Sequence, residues 1–305
     1  MRRLQRIVAA AIAVLAVSSI VLLIARSAKM SGQPVSQALS AVPLVITSTH
    51  YGRVWLIRPA MLVVLWIGWW LCRRRRDASA PWTAMLAAFA VFAFSRSASG
   101  HAADAGDFGA QEFIDWLHLL SMSVWVGGVF AALLAVFPAL RRCTDCRLAS
   151  LARFARRLSQ SSAIALGVVV ASGIYNAWMR LGTLPALVDT AYGRTLCIKL
   201  ILVAVVIALG AVNRFVHVPR VIAAEHPGDA AHGFAVLIRK FSHTVLIESA
   251  FMIAVLIAVG FLLTGMPPGD MTRTPMAQPA AARYVPAFDH FASDKPAVAK
   301  TGTAF

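Results

Sequence analysis

Apolar residues in this chain fall in long runs separated by short polar stretches. Seven runs, at about 7–25, 54–72, 82–97, 112–138, 155–179, 193–214 and 242–265, approach or exceed the length a bilayer demands. About 20 apolar residues at 1.5 Å each cross the hydrocarbon layer as a helix. Each run therefore predicts a spanning helix, with 82–97 the shortest. The stretch "PVSQALSAVPLVITSTH" (34–50) mixes Gln, Ser and Thr among its apolar positions. It predicts a re-entrant or interfacial helix, with an eighth span as the second reading. The first run follows "MRRLQR", a basic start that would suit a signal peptide. Its apolar core is longer than the roughly 7–15 residues of signal peptides, and no clear cleavage site follows. It reads as an uncleaved helix. The predicted fold class is all-α: a polytopic transmembrane bundle of seven, or eight, spans.

Composition agrees with this pattern. Of 305 residues 59% are hydrophobic, and 29 Lys and Arg against 13 Asp and Glu give a net charge of +16. In a soluble chain that excess would suggest nucleic acid. Here the cations sit in short loops between apolar runs, which makes them topology signals. With the N-terminus in the cytoplasm, 17 fall inside: Arg2, Arg3, Arg6, Arg73 to Arg76, Arg141, Arg142, Arg147, Arg153, Arg156, Arg157, Arg214, Arg220, Arg239 and Lys240. Six fall outside: Arg26, Lys29, Arg53, Arg96, Arg180 and Arg194. The ratio predicts a cytoplasmic N-terminus and an external tail after about 266. Four cysteines in such a chain do not make a disulfide framework.

An internal echo organises the spans. "THYGRVWLIR" (49–58) and "TAYGRTLCIK" (190–199) share Thr, Tyr, Gly and Arg in register, and each ends on a cation, Arg58 or Lys199. Both open a span running from outside to inside. Two parallel three-helix units are expected, with the 112–138 helix between them. Repeats of this kind place transporter sites near their interface; the plainer reading is interfacial Tyr and Arg anchoring. The expected division is N-terminal helices with a periplasmic loop over 1–96, a core over 97–268, and a flexible periplasmic tail over 269–305.

Candidate chemistry concentrates outside. "DWLHLLSMSVWVGG" (115–128) carries Asp115, His118 and Met122 at i, i+3 and i+7, near one helical face. Gly127 and Gly128 would let a neighbouring helix approach. His101 precedes this helix, and His50 also falls on the outer side. Imidazole and thioether with a carboxylate suit copper better than calcium or magnesium, while zinc sites more often use Cys and His without Met. The plainer reading makes Asp115 a helix-start acid, His118 an interfacial polar group and Met122 core. In the tail Met266, Met271 and Met276 recur every five residues among Pro and Gly, a candidate Cu(I) capture set. On the inner side Cys143 and Cys146 form a C-x-x-C pair able to hold Cu(I) or Zn(II) or to do redox chemistry, or else two reduced loop cysteines. Glu248, Lys199 and Arg58 lie within spans, where ionisable groups are costly and so candidate relay or pathway groups; Lys199 and Arg58 could instead snorkel outward.

The motifs "SGHAAD", "DWLHLLSMSVWVGG", "RFARRLSQSSAIALGVVVASGIYNAW", "TAYGRTLCIKL", "ALGAVNRF" and the final "LLTGMPP" resemble the copper resistance protein D (CopD) family of bacterial inner-membrane proteins. The resemblance is densest over 97–268 and extends upstream through "THYGRVWLIRP". It implies copper ion as the cargo, passage across the inner membrane, usually inward, and a periplasmic copper-binding partner of CopC type. Its outer-side histidines match His101 and His118, and its intramembrane charges match Glu248 and Lys199. Members often have eight spans against the seven read here, and the CopC-like partner is expected as a separate chain. Neither a nucleotide-binding loop nor a nucleophile–base pair is evident, so no enzymatic activity is expected. Two rival functions stay open: a copper-binding scaffold for assembling a copper enzyme, and a haem-binding electron carrier, which would need facing axial histidines.

Overall fold

The computed structural model describes residues 2–75, 79–99, 109–140, 147–181, 183, 185–223 and 230–264. His101, Cys143, Cys146, Met266, Met271, Met276 and the tail over 269–305 lie outside these residues.

Every predicted apolar run is a helix, and no strand occurs among the described residues. The long helices are α1 (Arg2–Ser31), α3 and α4 (His50–Trp55 and Ile57–Arg74), α5 (Ala80–Ser97), α6 (Ala110–Ala131), α8 (Arg147–Leu181), α10 (Ala191–Val212) and α12 (Ala230–Thr264). Short helices complete them: α2 (Val42–Ser48), α7 (Phe137–Leu140), α9 (Ala186–Asp189) and α11 (Val218–Ala223). Six described segments are long and apolar enough to cross a membrane. The run 82–97 forms α5, whose 18 residues reach about 27 Å at 1.5 Å each but which is not among those six. The protein is thus a multi-pass helical membrane protein. Large apolar side chains such as Leu86 and Ile164 stand 70% and 72% exposed, which suits contact with lipid rather than water.

The stretch 34–50 does not form an eighth span. It folds as a 3₁₀ turn (Ala38–Ala41) and the short α2, both packed on α1. Eleven apolar helical residues, Ala38–Ser48, reach only about 16 Å, half the hydrocarbon thickness.

Two bundles result. In the first, α4 packs between α1 and α5. Gly68 of α4 makes this close: a Cβ there would sit 2.5 Å from Met85 Cγ of α5. In the second, α6 packs on α8 and α10 on α12, around Trp125, Val206, Val245 and Met252. Lipid tails give apolar helices no reason to leave one another, so such close packing and interhelical hydrogen bonds hold the bundle. Gly128 is one packing point, where a Cβ would lie 2.9 Å from Leu158 Cδ1 of α8; Gly127 faces open space.

The echo in sequence is an echo in structure. Thr49 and Thr190 each precede a span in extended conformation, and each side chain accepts a hydrogen bond from the glycine three residues on. Before each lies a short helix, α2 or α9, and Gly52 and Gly193 press against its carbonyls. The spans that follow pair alike, α4 with α5 and α10 with α12.

Two spans end in π-helical turns, Ala132–Val136 after α6 and Asn213–His217 after α10. Each then runs into a further short helix, α7 or α11.

Candidate functional site

The N-terminal end of α6 is where side chains from three helices meet. Asp115 is held from two sides. From α5, Ser97 Oγ lies 3.2 Å from Asp115 Oδ2 and 2.7 Å from the Glu112 carbonyl. From α8, Asn176 Nδ2 donates to Asp115 Oδ1 at 3.4 Å, and Arg180 Nη2 stands 3.9 Å from the same oxygen. The carboxylate is therefore fixed in direction and only partly neutralised.

His118, one turn further in, has its Nδ1 2.9 Å from Ser172 Oγ of α8. Ser172 has one hydroxyl proton, and its oxygen also approaches the Val168 carbonyl, which can only accept. The proton goes to Val168, so Ser172 accepts from His118 Nδ1–H. That tautomer puts the lone pair on Nε2, the form in which imidazole binds metals with its other nitrogen held by a hydrogen bond, and the Val169 carbonyl is a further hydrogen-bond partner of the ring. Gly173 makes room for the ring, since a Cβ there would sit 3.4 Å from His118 Cε1. Met122 lies a turn deeper, half-buried against the core.

Lys199 of α10 acts electrostatically on both Asp115 and His118, and Arg180 acts on Lys199. The cluster thus sets one carboxylate between two cations. A metal ion entering here meets a carboxylate and an imidazole but also opposing charge.

The end of α5 joins this cluster to the first bundle. Its serines alternate: Ser97 faces α6, while Ser95 and Ser99 face Arg58. Arg58 is 1% exposed. It donates from Nε to Ser95 Oγ at 3.4 Å, from Nη2 to the Ser95 carbonyl at 3.2 Å, and from Nη2 to Ser99 Oγ. Its guanidinium also lies 5.9 Å from the Tyr51 ring. Arg58 clamps α4 to α5, whereas its repeat counterpart Lys199 faces the Asp115 cluster. His50, exposed on α3, places Nε2 3.4 Å from the Ala98 carbonyl, next along the chain from Ser97.

Glu248 sits apart, near the middle of α12, 4% exposed, accepting from Asn213 Nδ2 at 2.7 Å. Among the described residues no three His, Cys, Asp or Glu side chains gather into a metal cage.

Ser97, Ser172 and Asn176 were not singled out from sequence, and Arg180 was read only as a topology cation. A signal existed for three of them: Ser172, Asn176 and Arg180 recur every four residues in "SGIYNAWMR", a polar stripe down an otherwise apolar helix.

Fold and site together define a polytopic helical membrane protein with an imidazole–carboxylate cluster at one end of its second bundle. Residues 152–262 match the family model described as Copper resistance protein D, and residues 1–111 match the Copper resistance protein D-like N-terminal domain. Over 260 residues the chain is 30% identical to copper resistance protein D of Pseudomonas syringae pv. tomato, spanning 82% of this chain and 79% of that protein. Over 167 residues it is 33% identical to copper transport protein CutJ of Bacillus subtilis (strain 168). That match covers 54% of this chain and only 30% of the Bacillus protein. No solved structure matches the chain. The chain belongs to the copper resistance protein D family.

Proposed function

We propose that this protein moves copper ions across the bacterial inner membrane, inward from the periplasm, and is not an enzyme. Family membership and the names of both relatives support a role in copper handling. The observation that carries the reading is the Asp115–His118 pair on α6, oriented by α5 and α8, with the His118 lone pair placed on Nε2 as a ligand. Met122, one turn deeper, offers a softer donor along the same face. His101 and His50 are further donors at the entrance, and Met266, Met271 and Met276 a capture set in the tail. Cys143 and Cys146 would receive the ion inside. The excess of cations in the inner loops supports the orientation. A periplasmic copper-binding protein of CopC type, as a separate chain, would deliver the ion.

Copper uptake into proteoliposomes tests this. Wild type takes up copper, and His118→Ala reduces uptake to near background. Unchanged uptake in His118→Ala would remove the site. A wild type that binds copper without moving it would be the scaffold of the rival reading.

A further inference from the structure

A cavity of about 250 Å³ lies among α6, α8, α10 and α12. Its wall is mostly apolar; the polar side chains on it are Glu248, Asn213, Ser159, Ser162 and Arg214, whose guanidinium donates to Ser159. It opens because α8 and α10, unlike α1 and α4 in the first bundle, do not pack closely together.

Two features of this cavity, and a third beside it, mark it as more than a packing fault. First, Glu248 is the only acidic side chain near the middle of a spanning helix among the described residues; Glu112 and Asp115 lie in the first turns of α6 and Asp189 ends α9. Burying a carboxylate at that depth is costly unless it serves a cation. Glu248 Oε2 takes the Asn213 bond, while Oε1 faces Gly210 of α10, where a Cβ would be in ordinary contact at 3.6 Å. Secondly, Asn213 is 8% exposed and lines the cavity, yet its Oδ1 has no hydrogen-bond partner among the described residues. Native structures seldom leave such an atom unpaired without a ligand or water. Thirdly, one turn further in, His217 repeats the arrangement of His118. Its Nε2 lies 3.2 Å from Thr244 Oγ1, whose proton is directed at the Lys240 carbonyl at 3.1 Å. The ring therefore donates from Nε2, and Nδ1 keeps its lone pair, 8% exposed and unpartnered. Asn213 and His217 are the two ends of the π-helical turn, a distortion often found at functional positions.

The cavity is also in line with the outer cluster. Trp125, on its wall, is seven residues beyond His118 on α6, about 10 Å along the axis. Leu166, on the α8 wall, is six residues from Ser172, about 9 Å along that axis. Met122 lies between, against the same core as Trp125 and Leu166.

We propose that the cavity is a second copper station, where an ion coming from Asp115, His118 and Met122 is held by the Glu248 carboxylate and Asn213 Oδ1 before passing to His217 Nδ1. This rests on the reading of the protein as a copper conduit. Its donor set makes chemical sense for a waypoint. Two oxygens bind copper more weakly than imidazole and thioether, and conduction needs sites loose enough to release.

The test is copper binding to the purified protein in detergent, beside uptake in proteoliposomes, for wild type, Glu248→Gln and His118→Ala. Glu248→Gln should lose one equivalent of bound copper, keep the equivalent that His118→Ala removes, and take up copper at least tenfold more slowly. Wild-type binding and uptake in Glu248→Gln would overturn the station. Full binding with lost uptake would also overturn it, assigning Glu248 to proton movement instead. A wild type without uptake whose Glu248→Gln still loses one equivalent would sink the conduit and leave the station standing. Should Glu248→Gln fail to fold, Ser162→Phe fills the cavity from α8 with the Glu248–Asn213 bond intact. It should block uptake while keeping outer binding, and normal uptake in it would overturn the proposal.

Discussion

Thr49 and Thr190 stand 141 residues apart and cap their helices in the same way. Their backbones match, at φ −113°, ψ 150° and φ −108°, ψ 151°. Thr49 Oγ1 accepts from Gly52 N at 3.0 Å and Thr190 Oγ1 from Gly193 N at 2.9 Å. Each hydroxyl in turn donates back to the short helix before it, to Val45 at 2.6 Å and to Ala186 at 2.7 Å. The glycines are what let the two helices close on one another: a Cβ would meet the Val45 carbonyl at 2.2 Å, or the Ala186 carbonyl at the same distance. Those obstacles are backbone and cannot swing aside. Gly193→Ala is therefore expected to destabilise the protein by about 2 kcal/mol or more, the upper range for overpacking. Gly167→Ala, where nothing lies within 4 Å, should leave stability unchanged. Thermal unfolding in detergent compares them, and equal melting of the two variants would contradict the repeat as a packing unit.

That motif was legible because its chemistry is local: cap, glycine and cation lie within ten residues. The seven apolar runs were legible for the same reason, since hydropathy follows chain order. The partners of Asp115 were not. Ser97 and Asn176 come from helices 18 and 61 positions away, and nothing in a single sequence records which helix faces which. The fate of 34–50 also turned on packing, because its mixed polarity suited a short helix lying on α1 as well as a poor span. Gly127 and Gly128 looked equivalent, yet only Gly128 faces α8. The π-helical turn after α10, which begins at Asn213 on the cavity wall, leaves no pattern in the run "ALGAVNRFVH".

Ser172 fixes the tautomer of His118. Ser172→Ala keeps the volume nearly constant and removes the side-chain acceptor for Nδ1–H, leaving the ring the Val169 carbonyl alone. The ring is then held less firmly with its proton on Nδ1, and the tautomer with the proton on Nε2, the nitrogen left for metal, gains population. Copper affinity at the outer cluster should fall about 10- to 100-fold, the usual cost of losing a group that orients a ligand. Equilibrium binding in detergent measures it. An affinity equal to wild type would show that Ser172 does not set the ring.

Arg58 and Lys199 are equivalent in the repeat but should behave differently. Arg58 donates to Ser95 and Ser99 and touches no residue of the Asp115 cluster. Arg58→Met strands those acceptors and should destabilise the fold by about 2 kcal/mol, the cost of unsatisfied buried groups. Copper affinity at the outer cluster should be unchanged in the molecules that fold. A drop in affinity without a drop in melting temperature would reverse this assignment.

Lys199 predicts the opposite pattern. Its ammonium shares the field of Asp115 and His118 with Arg180. Each cation opposes the entry of another into that space, with an energy that grows as water is excluded. Lys199→Met removes one charge and keeps an apolar stem of similar length. Copper should then bind the outer cluster more tightly, by roughly tenfold for a change of about 1.4 kcal/mol. Tighter capture slows release, so uptake should fall even as binding improves. Paired binding and uptake measurements separate this from a ligand role: weaker binding in Lys199→Met would mean that the lysine supports the ion instead of opposing it.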